Sequence, residues 1–318
     1  VEAWLGNPAS SDVWPVYLEL MGRRFRSAYF DQLRDWCDRH GILLTGHLIE
    51  ESPIVGSCKF NGDPMLCIRG ESLPGMDEIH TAYDPRAGLA NRPVEWVTFN
   101  LVRQAVLHRG NGGLAELFAC GPGDLTPSVL RQMVWLAAFH GVDRYIACMD
   151  VMDESGMVEK HGYFAPAGPV HPWYAAHARL LVDEARRAAA FARLSVSERE
   201  VAIRYPRHAA SIAAFARHAE TLDANETGPH PSLYALLKTL ELNQFVCRLV
   251  SEDESSDLPL VFACCPDGTY AEERTGTRGL SADKALSLCR NLLPTSFRVL
   301  EEDGTPAGDL LVRTCSDG

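Results

Sequence analysis

Residues 114–150 read LAELFACGPGDLTPSVLRQMVWLAAFHGVDRYIACMD, and the reading of this stretch decides the fold. LAELFAC (114–120) is a short apolar run that predicts a buried strand. GPGD turns the chain, and Thr126 followed by Pro127 is a favoured helix start. The segment 126–140 carries helical spacing, Gly141 stops it, and VDRYIACMD (142–150) predicts the next strand. A strand, a helix of about fifteen residues and a second strand form a βα unit with parallel strands.

Working outward, the pattern recurs. Leu18, Met21, Phe25, Tyr29, Leu33 and Trp36 give 17–40 an amphipathic helical spacing, closed by Gly41. A strand follows at 42–48, another at 76–83, a helix at about 94–109, and beyond 150 a long helix at about 173–193. Four such units fit within 1–193, half of an eight-fold (β/α) barrel. After Ser195 the pattern restarts: a strand at 200–206, a helix over 231–250, a strand and turn at 258–270 and a helix at 281–293. FRVLEEDG and AGDLLVRTC then suggest a hairpin. The expectation is a partial barrel over 1–195 and a smaller α/β domain over 196–318. SEDESSD (251–257) reads as a solvated acidic loop.

Composition narrows the function. Of 318 residues 46% are hydrophobic and 23% charged, which is ordinary for a globular chain. A formal net charge of −12 argues against a nucleic-acid surface and fits a neutral or cationic ligand. The ten cysteines form no CxxC pair or zinc spacing, which suggests buried free thiols and no metal site. No charged-then-apolar leader is visible and no apolar run reaches about 18 residues. The expectation is therefore a cytoplasmic chain without a membrane span.

In parallel α/β folds ligands bind beyond the carboxyl ends of the strands. The residues expected there are His47, Glu50 and Glu51; Asp77, Glu78, His80, Tyr83 and Asp84; Glu116; and Asp150, Asp153 and Glu154. Glu116 is the most informative of these. Set among Leu114, Ala115, Leu117 and Phe118, its carboxylate is either paired with Arg or Lys or faces the cavity, because desolvating a lone charge costs several kcal/mol. The residues alone leave both open. Trp173, with His171 and Tyr174, could stack on a sugar face or pack on the barrel.

Residues 28–51 (AYFDQLRDWCDRHGILLTGHLIEE) resemble a group of bacterial barrel glycoside hydrolases akin to alpha-L-rhamnosidases and to the beta-galactosidase-type clan. The carriers are Trp36-Cys37, His40-Gly41, Thr45-Gly46-His47 and Glu50-Glu51, followed in order by 62–64, 74–77, 114–143 and 160–174. The resemblance spans about 20–190 and is loose over 196–318, where it implies a flavodoxin-like domain. It implies strands five to eight of the barrel and a retaining hydrolase with Glu116 as nucleophile. It implies a sugar site lined by His47, Glu50, Glu51, His80, Asp150 and Trp173. The acid/base Glu of the group ends the fourth strand, upstream of this chain. The turn after Glu116 is Ala-Cys-Gly-Pro and the eighth strand ends Cys-Met-Asp, both departures from the group's pattern. Two carboxyl groups need no cofactor. The expected partners are a carbohydrate substrate and either the other half of the barrel or a second copy of the chain. The competing reading is a degenerate barrel that binds carbohydrate or protein without turnover.

Overall fold

The computed structural model describes residues 13–49, 51–78, 95–117, 126–147, 174–196, 199–216, 228–294, 297–305, 307, 310–313 and 315–316. The chain is a mixed α/β fold with two principal sheets. In the first, β1 (Gly75–Glu78), β2 (Gly113–Leu117) and β3 (Val142–Ala147) run parallel in that spatial order. The segment 42–48 lies along the outer edge of β1, where Thr45 pairs in parallel with Leu73. Chain order and spatial order therefore coincide across four successive extended segments.

Helices form the crossovers that parallel strands require. Helix α1 (Val13–Phe25), a π-helical turn (Arg26–Phe30) and α2 (Asp31–Arg39) occupy the place of the single helix read over 17–40. Two short helices, α3 (Ile54–Asn61) and α4 (Pro64–Ile68), precede β1, and α5 (Trp96–Arg109) joins β1 to β2. Between β2 and β3 lies α6 (Pro127–Phe139), capped as read from sequence: Thr126 accepts a hydrogen bond from the Val129 amide, with Pro127 in the first turn. Helix α7 (Tyr174–Ala192) packs on α6 and β3.

The second sheet has the order β6-β5-β7-β8-β9. Strands β5 (Glu200–Arg204), β6 (Val246–Val250) and β7 (Val261–Cys264) are parallel, while β8 (Tyr270–Glu272) and β9 (Thr277–Leu280) form antiparallel pairs on one side. Helices α8 (Arg207–Ala216) and α9 (His230–Leu242) link β5 to β6, and α10 (Ala282–Leu292) follows β9. The helix expected over 231–250 therefore ends at Leu242, and 246–250 is a strand. Gln244, at φ +66°, breaks the helix, and its carboxamide pairs both ways with the backbone of Val299.

One hydrophobic core runs through both sheets. Its central element is α5, buried at every position from Trp96 to Val106 because it lies against β1 and β2 on one side and β6 on the other. Polar side chains on it are therefore buried too, and several meet partners within the core. Arg103 donates to the Cys247 carbonyl at 3.0 Å and to Glu200 at 2.8 Å; Asn100 donates to Glu241 at 3.0 Å. Glu241 also meets His140 at 3.1 Å, both fully buried.

The acidic loop after β6 does more than face solvent. Glu254 holds Arg69 with both oxygens, and Glu252 accepts the His208 amide at 3.0 Å, in the first turn of α8. A turn at 301–305 carries the beginning of the expected hairpin, with Ala307 donating to the Val299 carbonyl at 3.0 Å. The chain end instead returns to the first half. There β10 (Cys315–Ser316) pairs antiparallel with β4 (Ser195–Val196), and Arg313 donates to the carbonyls of Phe139, Phe191 and Leu194 at the ends of α6 and α7. The described cysteines are free thiols, with Cys37, Cys58, Cys67, Cys247 and Cys289 buried. Among the described residues, no helix is long and apolar enough to cross a membrane.

Candidate active site

Side chains alternate between the faces of a strand, and register decides which of them meet. In the first sheet Asp77 stands opposite Glu116, and Glu116 opposite Ile146. Their neighbours Met76, Ala115 and Leu117 point to the other face and join the helix-covered core. Asp77, Glu116 and Ile146 thus share the less covered face, near the carboxyl ends of three parallel strands. His47, two residues beyond the paired Thr45, reaches the same face from the edge segment.

These side chains come together. His47 Nε2 lies 3.6 Å from Glu116 Oε2 and 4.0 Å from Asp77 Oδ2. His47, Asp77 and Glu116 are 38%, 27% and 30% exposed, so the cluster opens to solvent. Among the described residues, Glu116 pairs with no Arg or Lys. The group beside its carboxyl there is the His47 imidazole. The exposed Ile146 stands beside it as an apolar surface.

The position of His47 follows from its backbone. Its Nδ1 lies 2.9 Å from the Leu48 carbonyl, which can only accept, so Nδ1 carries a hydrogen. Nε2 is left facing the two carboxyl groups. Glycine at 75 lets the edge segment approach β1 this closely, since a Cβ there would sit 1.9 Å from the Gly46 carbonyl oxygen.

Glu51 stands elsewhere. It is 5% exposed, and its oxygens accept the amides of Leu48 at 3.1 Å and Asp77 at 2.9 Å. Its carboxyl is thus occupied by backbone amides. Glu71, absent from the candidates above, is 1% exposed and accepts the Gly75 amide at 3.0 Å. Burial pushes Glu51 well above the usual carboxylate range and Glu71 up to about 8. Glu50, His80, Asp150 and Trp173 lie outside the described residues. Asp77 is the site member that sequence reasoning left in a long list; its signal was the two-residue alternation that sets it level with Glu116.

Chemically, the cluster offers two carboxyl groups and an imidazole. One nitrogen or oxygen from each of His47, Asp77 and Glu116 lies within 4.8 Å of the others, a set that suits a divalent cation as well as proton transfer.

No protein-family model matches the chain, and no curated protein matches it. Among solved structures, a rhamnosidase from Novosphingobium sp. PP1Y is similar, with a TM-score of 0.52 and 11% identity. The match covers 85% of this chain and 23% of the rhamnosidase, so this chain spans about a quarter of that protein's length. At this identity the likeness is one of fold.

Proposed function

We propose that this chain belongs to a glycoside hydrolase of the (β/α)-barrel type and cleaves a terminal sugar with retention, Glu116 acting as nucleophile. The observation that carries the reading is the meeting of Asp77 and Glu116, on adjacent parallel strands, with carboxyl oxygens within 4.8 Å on an open face. Retaining hydrolysis needs two carboxyl groups about 5–5.5 Å apart: one attacks the anomeric carbon, the other protonates the leaving oxygen. Asp77 then takes the acid/base role in this reading, in place of a residue upstream of the chain. In this reading His47 orients Glu116 and meets the sugar, and Ile146 lies against its apolar face.

The strand order of the first sheet supports the barrel, whose strands are neighbours in sequence and in space. Further strands, from the rest of a longer protein, would then close the open face. The parallel order β6-β5-β7 supports a flavodoxin-like unit over 196–318, with the antiparallel β8 and β9 a departure from a wholly parallel sheet.

The test is a panel of activated 2-fluoro glycosides, followed by digestion and mass spectrometry. A sugar adduct on Glu116 is the expected result. Asp77→Asn is expected to keep labelling by activated glycosides and to lose hydrolysis of those with poor leaving groups. Absence of any adduct on a folded chain favours the reading of a binding protein without turnover.

A further inference from the structure

We infer that Glu51 is a positioning residue: its buried carboxyl sets the location of both His47 and Asp77, and Glu71 supports it from the other end of the same edge. The edge segment has little ladder of its own. Thr45 and Leu73 form an isolated bridge, joined by Leu73 N to the Leu44 carbonyl at 3.0 Å and by Thr45 Oγ1 to the Leu73 carbonyl at 2.7 Å. Beyond that bridge, among the described residues, side-chain carboxyls stand where ladder partners would be expected. Glu71 accepts the Gly75 amide, and Glu51 joins Leu48 to Asp77.

The second junction reaches the site through two short chains of bonds. Glu51 Oε1 accepts the Leu48 amide, and the carbonyl of that same Leu48 accepts the His47 ring hydrogen on Nδ1. Glu51 Oε2 accepts the Asp77 amide directly. One carboxyl therefore orients the imidazole and places the backbone that carries the Asp77 side chain. Replacement by glutamine breaks this, because a carboxyl can turn its hydrogen away and accept through both oxygens, whereas a carboxamide accepts through its oxygen alone. One of the two backbone N–H groups then faces an NH2, a donor against a donor. Outer-shell carboxyls that orient metal-ligating histidines are worth about 10–100-fold in activity or metal affinity, and that range sets the size expected here. That the loss slows turnover rests on the hydrolase reading above; that it releases His47 and Asp77 does not.

The experiment uses the full chain with histidine-selective 15N labelling, recorded over a pH series, together with amide hydrogen exchange. The unaltered chain is expected to show His47 as a single Nδ1–H tautomer, with the Leu48 and Asp77 amides protected. In Glu51→Gln both amides exchange faster, the His47 ring becomes a mixture of tautomers, and labelling of Glu116 by an activated 2-fluoro glycoside slows by about 10–100-fold. Thr45→Val, which removes a bond of the same edge, is expected to leave the ring signals in place. Wild-type ring signals and protected amides in Glu51→Gln overturn the inference, as does an equal ring change in Thr45→Val. If the unaltered chain is never labelled while Glu51→Gln still shifts the ring and amides, the hydrolase reading fails and the positioning role stands. Should Glu51→Gln not fold, the unaltered chain decides: a tautomer mixture or unprotected Leu48 and Asp77 amides overturn the role.

Discussion

At the carboxyl ends of β5 and β6, Arg204 grips both oxygens of Glu273 and donates to the Ser251 carbonyl, while Arg207 lies 3.1 Å from Glu19 and 3.5 Å from Asp63. At the ends of β1 and β2, Asp77 and Glu116 face a histidine and solvent. Both are carboxyl ends of parallel strands, where α/β folds bind ligands. In the second sheet the fixed charges are matched by the protein's own, and α1 and α3 pack over α8 on that side. In the first sheet two carboxyl groups share a small space with an imidazole. Polar residues at strand ends therefore do not by themselves define a site; the two ends differ in what the charges meet, guanidinium groups in the second sheet and an imidazole beside a second carboxyl group in the first.

That contrast can be broken most directly at Glu116. Glu116→Gln is expected to lower glycoside hydrolysis by about 10³-fold or more, as loss of a nucleophile does. Its effect on folding is expected to stay within about 0.5 kcal/mol, since half-exposed groups away from buried networks contribute little. Rate assays and urea unfolding of one preparation check both parts, and a large loss of stability would sink the distinction. The opposite behaviour is expected in the buried network between the sheets. Arg103→Leu leaves Glu200 with Arg248 alone and removes the side-chain donor to the Cys247 carbonyl, and should destabilise by about 1–3 kcal/mol in urea unfolding.

A third expectation concerns pH. Glu71 keeps its proton in the folded chain up to about 8, whereas in the unfolded chain it loses it near roughly 4.3. Its contribution is thus fully present below the unfolded value and is lost as pH rises through about 8. The stability curve should fall by up to about 1.4 kcal/mol per pH unit in that window on account of this group. Glu71→Gln should flatten that slope between pH 5 and 8; an unchanged slope would show that the group is charged when folded. The smallest effect is expected at the sealed end: Glu252→Ala loses its hydrogen bond to the first turn of α8 and should cost about 1 kcal/mol, read as a shift in melting temperature.

Much of this was legible in the chain itself. The stretch 114–147 announces its strand, cap, helix and strand through local spacing, and Thr126-Pro127 and Gly141 act within one turn of their own positions. Glu116 stood out because a carboxylate in an apolar run needs a special reason. Less local features were not readable. The apolar spacing of 231–250 runs on through Leu242, Phe245, Val246 and Leu249, and what stops the helix is Gln244, held by Val299 from more than fifty residues away. The acidic loop looked solvated because Arg69, its partner, lies in the other half of the chain.

By itself the sequence determined the α/β class, the parallel strands of the first half and Glu116 as the residue to explain, because these depend on spacing and on the cost of burying charge. Only the tertiary structure decided which acids meet. Glu50 and Glu51 are neighbours in the chain, and nothing in their spacing tells a buried backbone partner from a ligand. Asp77 and Glu116 are nearly forty residues apart, and strand register alone sets them side by side with His47 between the carboxyl groups. Register is fixed by the packing of whole strands and helices, and the residues at the site follow it.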